Sequence, residues 1–382
     1  MRKHRGIWRN SAVLLLVFSL LPGPVRASEP PEISAEAAVV AELETGRILF
    51  EKNGGKSMKA ASTVKILTGL LALETLDKSA EITVRREWTG QEGSSMYLRE
   101  GQKLTVSELL YGLLLVSGND AALALACASA GSEEAFVAKM NERASELGME
   151  GSRFVDCSGL KSEGHEVTAR DMAKLACEAM KNPDFRAIVS ARTARAAGQT
   201  LQNHNKLLWR YARAVGVKTG YTKAAGRTLV SCAERSGLTL VCVTLNAPRD
   251  WEDHASLLDW GFGQYESLDP AEKRWSVGVV SGLAPEAAVR PEPGGKLLLP
   301  REGVRWEAEL PPFVYAPVEA GAAAGKARCL DGEGTTLYEL PLIFAEGVPL
   351  DTAQKLGFWE KLLWAWRFAC RHSAGYPQYV FY

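Results

Sequence analysis

The stretch "AASTVKILTGLLALE", residues 60–74, is apolar almost all the way round, with Val64, Ile66, Leu67, Leu70, Leu71 and Leu73 leaving no polar face. A helix of this kind is stable only when other elements cover it on every side. Such a chain therefore has to gather a helical cluster about residues 62–74. Lys65 sits in the first turn of that run, three residues after Ser62, where an unpaired ammonium is costly to desolvate. The position calls for a chemical reason.

The surrounding elements are legible in outline. "AEAAVVAELETGRILFEKNG" reads as two short strands about a turn at Thr45 and Gly46. "ITVRREW" and "SMYLREGQKLTV" read as extended pieces. "SELLYGLLL" is helical, "VSGND" breaks it, and "AALALACASA" resumes a buried helix. "SEEAFVAKMNERASELG" is an amphipathic helix closed by Gly148, and "TARDMAKLACEAMKN" is another, expected to stop near Pro183. "GVKTGYTKAAGRTLVSCAERSGLTLVCVTLN" is rich in β-branched residues and reads as adjacent antiparallel strands turning at Glu234 to Gly237, with "DHASLLDWGFGQY" as the closing helix. Strands at both ends with helices between predict an α+β domain over residues 33–266. Residues 270–350 change texture to short β-like segments separated by Gly and Pro, predicting a small all-β domain with no catalytic cluster in it. A chain of 382 residues suits two domains.

The two ends read differently. "MRKHRGIWRN" is basic, "SAVLLLVFSLL" is an apolar core of 11 residues, and "GPVRAS" offers a small-residue cleavage site after Ala27. An apolar core that short falls below the ~20 residues of a membrane span, so residues 1–27 are expected to be a cleaved signal peptide and the protein exported. Near the other end, residues 355–371 carry a helical stripe of Leu356, Trp359, Leu362, Leu363 and Trp366 with flanking charges, expected to lie in a membrane interface. The formal net charge of zero, without basic blocks, gives no sign of a nucleic-acid partner. Seven widely spaced cysteines do not form a disulfide framework. Cys232 and Cys242 flank the predicted hairpin, and their spacing leaves pairing open. Five histidines without metal-ligand spacing imply no metal centre, and no cofactor motif is present.

Three short motifs supply the chemical reason for Lys65. A serine hydroxyl becomes a nucleophile when a nearby base takes its proton, and residues three apart on a helix face each other. Lysine can be that base when desolvation or a second cation lowers its pKa. Ser62, at the expected helix start, also has free N–H groups and the helix dipole to stabilise developing negative charge. S-x-x-K alone is weak, and Ser158 to Lys161 repeats it. Ser117-Gly118-Asn119, however, occupies the break between two apolar helices, and Lys218-Thr219-Gly220 heads a strand. Taken singly, these are ordinary turn and strand-start chemistry. Together, in this order, they match the S-x-x-K, S-x-N and K-T-G arrangement of penicillin-recognising serine acyl enzymes.

Through "ASTVKILTGLLALE", "MYLREGQKLTVSELLYGLLLVSGNDAALALA", "GHEVTARDMAKLA", "NHNKLL", "GVKTGYTKAAGRTLVSCAER" and "DHASLLDWGFGQYE", the chain resembles D-alanyl-D-alanine carboxypeptidases, the low-molecular-mass penicillin-binding proteins of serine peptidase family S11. The resemblance covers most of residues 35–265 and implies a β-lactamase/DD-peptidase-like fold, an antiparallel sheet with a helical cluster. It implies Ser62 as nucleophile and Lys65 as its base, with Ser117 and Asn119 assisting proton transfer and positioning substrate. Lys218 and Thr219 would engage the terminal carboxylate, with Lys218 as the cation helping to keep Lys65 neutral. Gly220 would admit the substrate backbone, and the N–H groups of Ser62 and Tyr221 would form the oxyanion hole. The implied substrate is the pentapeptide stem of peptidoglycan, at the outer face of the cytoplasmic membrane or in the wall space, with β-lactams as inhibitors. The later β-region and tail resemble the family's second domain and membrane anchor more loosely. "FVDCSGL" departs from the Asn-Pro-containing segment usual before the Gly-Leu. A class A β-lactamase shares the motifs but adds a Glu-x-x-Leu-Asn element absent between residues 119 and 218; Glu163 and Glu166 lie in that region but lack the context. A non-catalytic wall-binding scaffold is the third reading, and the intact motifs weigh against it.

Overall fold

The computed structural model describes residues 29–161 and 163–351, together with Trp359, Leu362, Leu363 and Trp366. The expected signal peptide, residues 1–27, and most of the expected interfacial helix, residues 355–371, lie outside the described residues. The four described positions of that helix are helical and exposed.

A hairpin of β1 (Ala37–Glu42) and β2 (Ile48–Lys52) opens the fold. A 3₁₀ turn, Ala61–Val64, runs into α1 (Lys65–Thr75). A ribbon of β3 (Glu81–Thr83) and β4 (Lys103–Thr105) precedes α2 (Val106–Leu115), α3 (Asn119–Ala130) and α4 (Glu133–Glu146). Next come α5 (Ala169–Lys181), α6 (Pro183–Ser190) and a second ribbon, β5 (Thr193–Ala196) with β6 (Gln199–Gln202). The short α7 (Leu207–Arg210) leads to β7 (Ala214–Thr222), β8 (Gly226–Arg235), β9 (Leu238–Leu245) and α8 (Asp250–Gln264).

The main sheet is antiparallel in the order β2-β1-β9-β8-β7, so the first hairpin docks on the last three strands. Both faces are covered, which is why β1 is buried at all six positions rather than at alternate ones. Val39, Val217, Val230, Val241 and Val243 face the helical cluster, while Val40, Leu229, Leu240 and Cys242 face α8 through Leu257, Leu258 and Phe262. The all-round apolar α1 lies inside the cluster, against α2, α3, α5 and α6. Strand alternation also settles the cysteine pair. Cys232 faces the helices and Cys242 faces α8, so the sheet separates them, and both are free thiols.

α5 stops at Lys181, just before Pro183 as expected, and Pro183 then opens α6 at its first turn, where a missing N–H costs nothing. Asn182 caps that helix, its Oδ1 accepting from Asp184 N at 3.0 Å and Phe185 N at 3.1 Å. Ser62 lies in the 3₁₀ turn, and the α-helix begins three residues later at Lys65.

After α8, β10 (Tyr265–Leu268) begins a β-rich unit containing β11 (Trp275–Val280), β12 (Glu286–Pro291), β13 (Leu297–Pro300), β14 (Arg305–Glu309), β15 (Phe313–Tyr315), β16 (Ala323–Leu330) and β17 (Thr336–Phe344). Six of these form one sheet in the order β14-β16-β17-β12-β11-β15, and β10 pairs with β13 alone. Leu298 of β13 packs into the core beneath α8, whereas its neighbours Leu297 and Leu299 belong to the core of the β-unit. Arg301 fastens the same junction, donating from Nε to Phe262 O at 2.9 Å and from its backbone N to Gln264 O at 2.9 Å.

Candidate active site

Ser62, Ser117, Thr219, Gly220 and Tyr221 line one cavity of about 850 Å³, open between the helical cluster and β7 at the edge of the main sheet. The cavity continues past His204, Lys206, Trp209 and Arg210 on one wall and Arg227, Asp250 and Trp251 on another. Lys65, Asn119 and Lys218, the partners of these residues in the three motifs, are buried. Residues scattered over more than 150 positions of sequence thus meet at one place.

The geometry at the first motif is direct. Lys65 Nζ donates to Ser62 Oγ at 3.1 Å and to the Ser158 carbonyl at 2.6 Å. The side chain is fully enclosed, and burial lowers its pKa to about 8, against the opposing pull of Cys157, Asp156 and Asp120. Cys157 itself is pushed well up by burial, so near neutral pH it is a thiol and adds no charge. The two carboxylates hold a proton on Lys65. Lys218 is likewise lowered, well below its ordinary value, first by burial and then by the Lys65 charge. Two enclosed ammonium groups repel, which disfavours both being charged at once. Lys218 Nζ meanwhile donates to the Thr219 carbonyl at 2.9 Å.

The second motif is held by contacts that its spacing does not announce. Ser117 has a φ of +63°, a left-handed conformation unusual for serine, and its buried Oγ has no hydrogen-bond partner among the described residues. Asn119 Nδ2 donates to Glu92 O at 2.6 Å, leaving its buried Oδ1 without a partner there. The next residue, Asp120, is completely buried and accepts from Ser95 Oγ at 2.6 Å, Met96 N at 3.0 Å and Leu98 N at 3.0 Å. Asp120 thereby stitches the loop before β4 onto the turn. Gly118 is required because a Cβ there would press on Asp120 Oδ1 at 2.8 Å and Met96 N at 3.2 Å. A strained turn presenting two unsatisfied polar atoms is poised for a ligand.

The third motif meets the first through Gly220. A Cβ on Gly220 would overlap Thr228 Oγ1 and lie 3.0 Å from Ser62 N and 3.2 Å from Ala60 O. The close approach that demands glycine is therefore of β7 to the nucleophile's own turn, rather than only of substrate to strand. Thr228 Oγ1 on β8 donates to Ala60 O at 3.0 Å and ties the same turn from behind. Tyr221, two-thirds exposed, stands at the rim.

The S-x-x-K repeat at Ser158 to Lys161 does not form a second serine–lysine pair. It is the turn whose Ser158 carbonyl receives Lys65, so it belongs to the site by its backbone. Glu163 and Glu166 do not line the cavity, and Glu166 instead accepts from Ser57 Oγ at 2.9 Å and pairs with Lys59 at 3.7 Å.

An antiparallel sheet, a helical cluster and these three motifs at one cavity define the class of penicillin-recognising serine peptidases. Within that class, the chain belongs to the S11 family of D-alanyl-D-alanine carboxypeptidases, whose family profile matches residues 24–249. It is 36% identical over 253 residues to the D-alanyl-D-alanine carboxypeptidase DacF of Bacillus subtilis, covering 63% of this chain and 65% of that relative. It is also 36% identical over 244 residues to DacB2 of Mycobacterium tuberculosis, covering 61% of this chain and 84% of that one. Among solved structures, penicillin binding protein 6B of Escherichia coli aligns with a TM-score of 0.68 at 26% identity, covering 82% of this chain and 96% of its own. The fold class and the serine-peptidase assignment implied by the motifs both hold.

Proposed function

We propose that Ser62 carries the carboxypeptidase reaction on peptidoglycan pentapeptide stems through an acyl-enzyme. Lys65 in its neutral form takes the Ser62 proton as Oγ bonds to the carbonyl carbon between the two terminal D-alanines. The N–H groups of Ser62 and Tyr221 receive the oxyanion, a role supported by the contact of Gly220 with the Ser62 turn. Collapse breaks the C–N bond, and the departing D-alanine amine takes a proton relayed through Ser117 and Lys65. Asn119 and the backbone of edge strand β7 hold the stem, while Thr219 and Lys218 take the terminal carboxylate. An arriving carboxylate favours the charged form of Lys218, whose proton is otherwise disfavoured by burial. Water then attacks the ester and releases the shortened stem. β-Lactams acylate the same serine.

The observation that carries this reading is the 3.1 Å bond from Lys65 Nζ to Ser62 Oγ inside an enclosed pocket. The test is D-alanine release from a diacylated peptide ending in D-Ala-D-Ala, with Ser62→Ala beside the wild type. Release by the wild type alone is expected. Turnover by Ser62→Ala would remove Ser62 from its role, and a folded wild type that releases nothing would favour the non-catalytic reading.

We place the protein outside the cytoplasm, at the outer face of the membrane, on the strength of its leader sequence and the exposed Trp359, Leu362, Leu363 and Trp366. Among the described residues no single helix is long and apolar enough to cross a membrane. Truncation before Lys355 is expected to release the protein from membrane fractions, and continued association would refute an anchor there.

A further inference from the structure

We propose that Asp156 is a positioning residue for the acylation base: its carboxylate builds the turn that presents the Ser158 carbonyl to Lys65. The proposal rests on the assignment of Ser62 and Lys65 as nucleophile and base.

Asp156 is almost completely buried, and both of its oxygens are in use. Oδ1 accepts from Ser158 N at 2.7 Å, Ser158 Oγ at 3.2 Å and Gly159 N at 2.5 Å, while Oδ2 accepts from Lys161 N at 2.6 Å. Four donors converging on two oxygens fit a carboxylate. An asparagine offers one acceptor oxygen, and its amide would face Lys161 N donor to donor. The turn so formed is bound to the nucleophile's element at three points. Ser158 O accepts from Lys65 Nζ at 2.6 Å, and Cys157 O accepts from Thr68 Oγ1 at 2.7 Å. Gly159, with a φ of +81°, lies so close to the Ala61 carbonyl that a Cβ there would overlap it.

This is the segment where the chain departs from the Asn-Pro pattern, and the two departures act together. Cys157 has the backbone N–H that a proline lacks, and it donates to Glu133 Oε1 at 3.2 Å; its Sγ donates to the same oxygen at 3.3 Å. Glu133 also approaches Lys161 Nζ at 3.8 Å, so the head of α4 holds the outer side of the turn. Asp156 thus adds a buried negative charge beside the base. The other ionisable groups around Lys65 are Asp120 from α3, Lys218 from β7 and the neutral Cys157 thiol. His165 is buried, which lowers its pKa, and it interacts electrostatically with Asp156 and Lys59.

The test measures the second-order rate of acylation by a fluorescent penicillin against pH, on the full mature protein, for wild type, Asp156→Asn and Asp156→Ala. Asparagine retains the oxygen that holds Ser158 and Gly159 but lacks the charge. Lys65 then loses its proton more readily, and the acid limb of the profile is expected to move down by roughly one pH unit. Alanine removes the turn's acceptors, and the rate at the optimum is expected to fall by at least about tenfold. A residue serving only to fold the protein would change melting temperature or the height of the profile without moving its limb. An Asp156→Asn profile that superposes on the wild type after scaling would overturn the role of the charge. An Asp156→Ala rate equal to wild type would overturn the positioning role; if that variant does not fold, the limb of the Asp156→Asn profile decides. A wild type that no β-lactam acylates would overturn the serine–lysine assignment, and this inference with it.

Discussion

Gly220→Ala is the sharpest single test of how the site is assembled. The added methyl overlaps Thr228 Oγ1 and sits 3.0 Å from Ser62 N and 3.2 Å from Ala60 O, whereas relaxed contacts need about 3.5–4.0 Å. Thr228 is fully buried and its hydroxyl is committed to Ala60 O, so it has little room to rotate. The Ser62 turn and β7 must then separate by something between half an ångström and one ångström. Displacement on that scale at a reacting centre costs up to about 100-fold in rate, equivalent to about 2.7 kcal/mol. The assay is the acylation rate with a fluorescent penicillin, with thermal unfolding in parallel to show that the sheet is intact. A double variant, Gly220→Ala with Thr228→Ala, removes one of the three contacts and should recover part of the loss, giving a non-additive cycle. A Gly220→Ala rate within about twofold of wild type would refute the claim that this glycine sets the nucleophile's position.

Other expectations follow from the same geometry. With Lys65 lowered to about 8, acylation should rise about tenfold per pH unit below that value and level off above it, as measured on the free enzyme. Lys65→Arg should nearly abolish acylation, because a guanidinium does not lose its proton in this range. Lys65→Met should also be inactive but more stable at neutral pH. The folded-state pKa lies about 2.5 units below the ordinary lysine value, a cost of about 3 kcal/mol, less about 1 kcal/mol for the lost bond to Ser158 O. For the same reason, wild-type stability should gain from Lys65 as pH rises from about 8 toward 10.5, a window in which the unfolded chain binds more protons; a gain that persists in Lys65→Met would assign it to other groups. Peptide mapping without reductant should find no Cys232–Cys242 bridge even after mild oxidation, because the two thiols lie on opposite faces of the sheet.

Much of this site is legible from the chain because each motif announces itself locally. Ser62 and Lys65 are three residues apart in a run that must be buried, and Ser117 to Asn119 interrupts two apolar helices. Lys218 to Gly220 stands in a β-branched stretch, although in the structure it falls in the second half of β7 rather than at its head. The supports escape notice because they act across long separations. Lys65 meets Ser158 O from 93 positions away, and Thr228 reaches Ala60 O across 168. Nothing in periodicity distinguishes Asp156 from a loop residue, or Asp120 from a helix-start acid. The Ser158 to Lys161 repeat is instructive, since the pattern found there belongs to the site through a carbonyl that any residue would supply. Pro183 marks the end of α5 as expected, but a proline that stops one helix is equally suited to start the next, and the Asn182 cap shows that α6 follows.

The leucines of β13 have a consequence for reach. Alternate side chains of one short strand belong to two different cores, so swivelling one body against the other would draw Leu298 or its neighbours into water, at roughly 2 kcal/mol for each. Arg301 adds its bonds to the same joint. The β-unit is therefore a strut rather than a tether. The placement of Ser62 relative to the β-unit is a built dimension of the molecule.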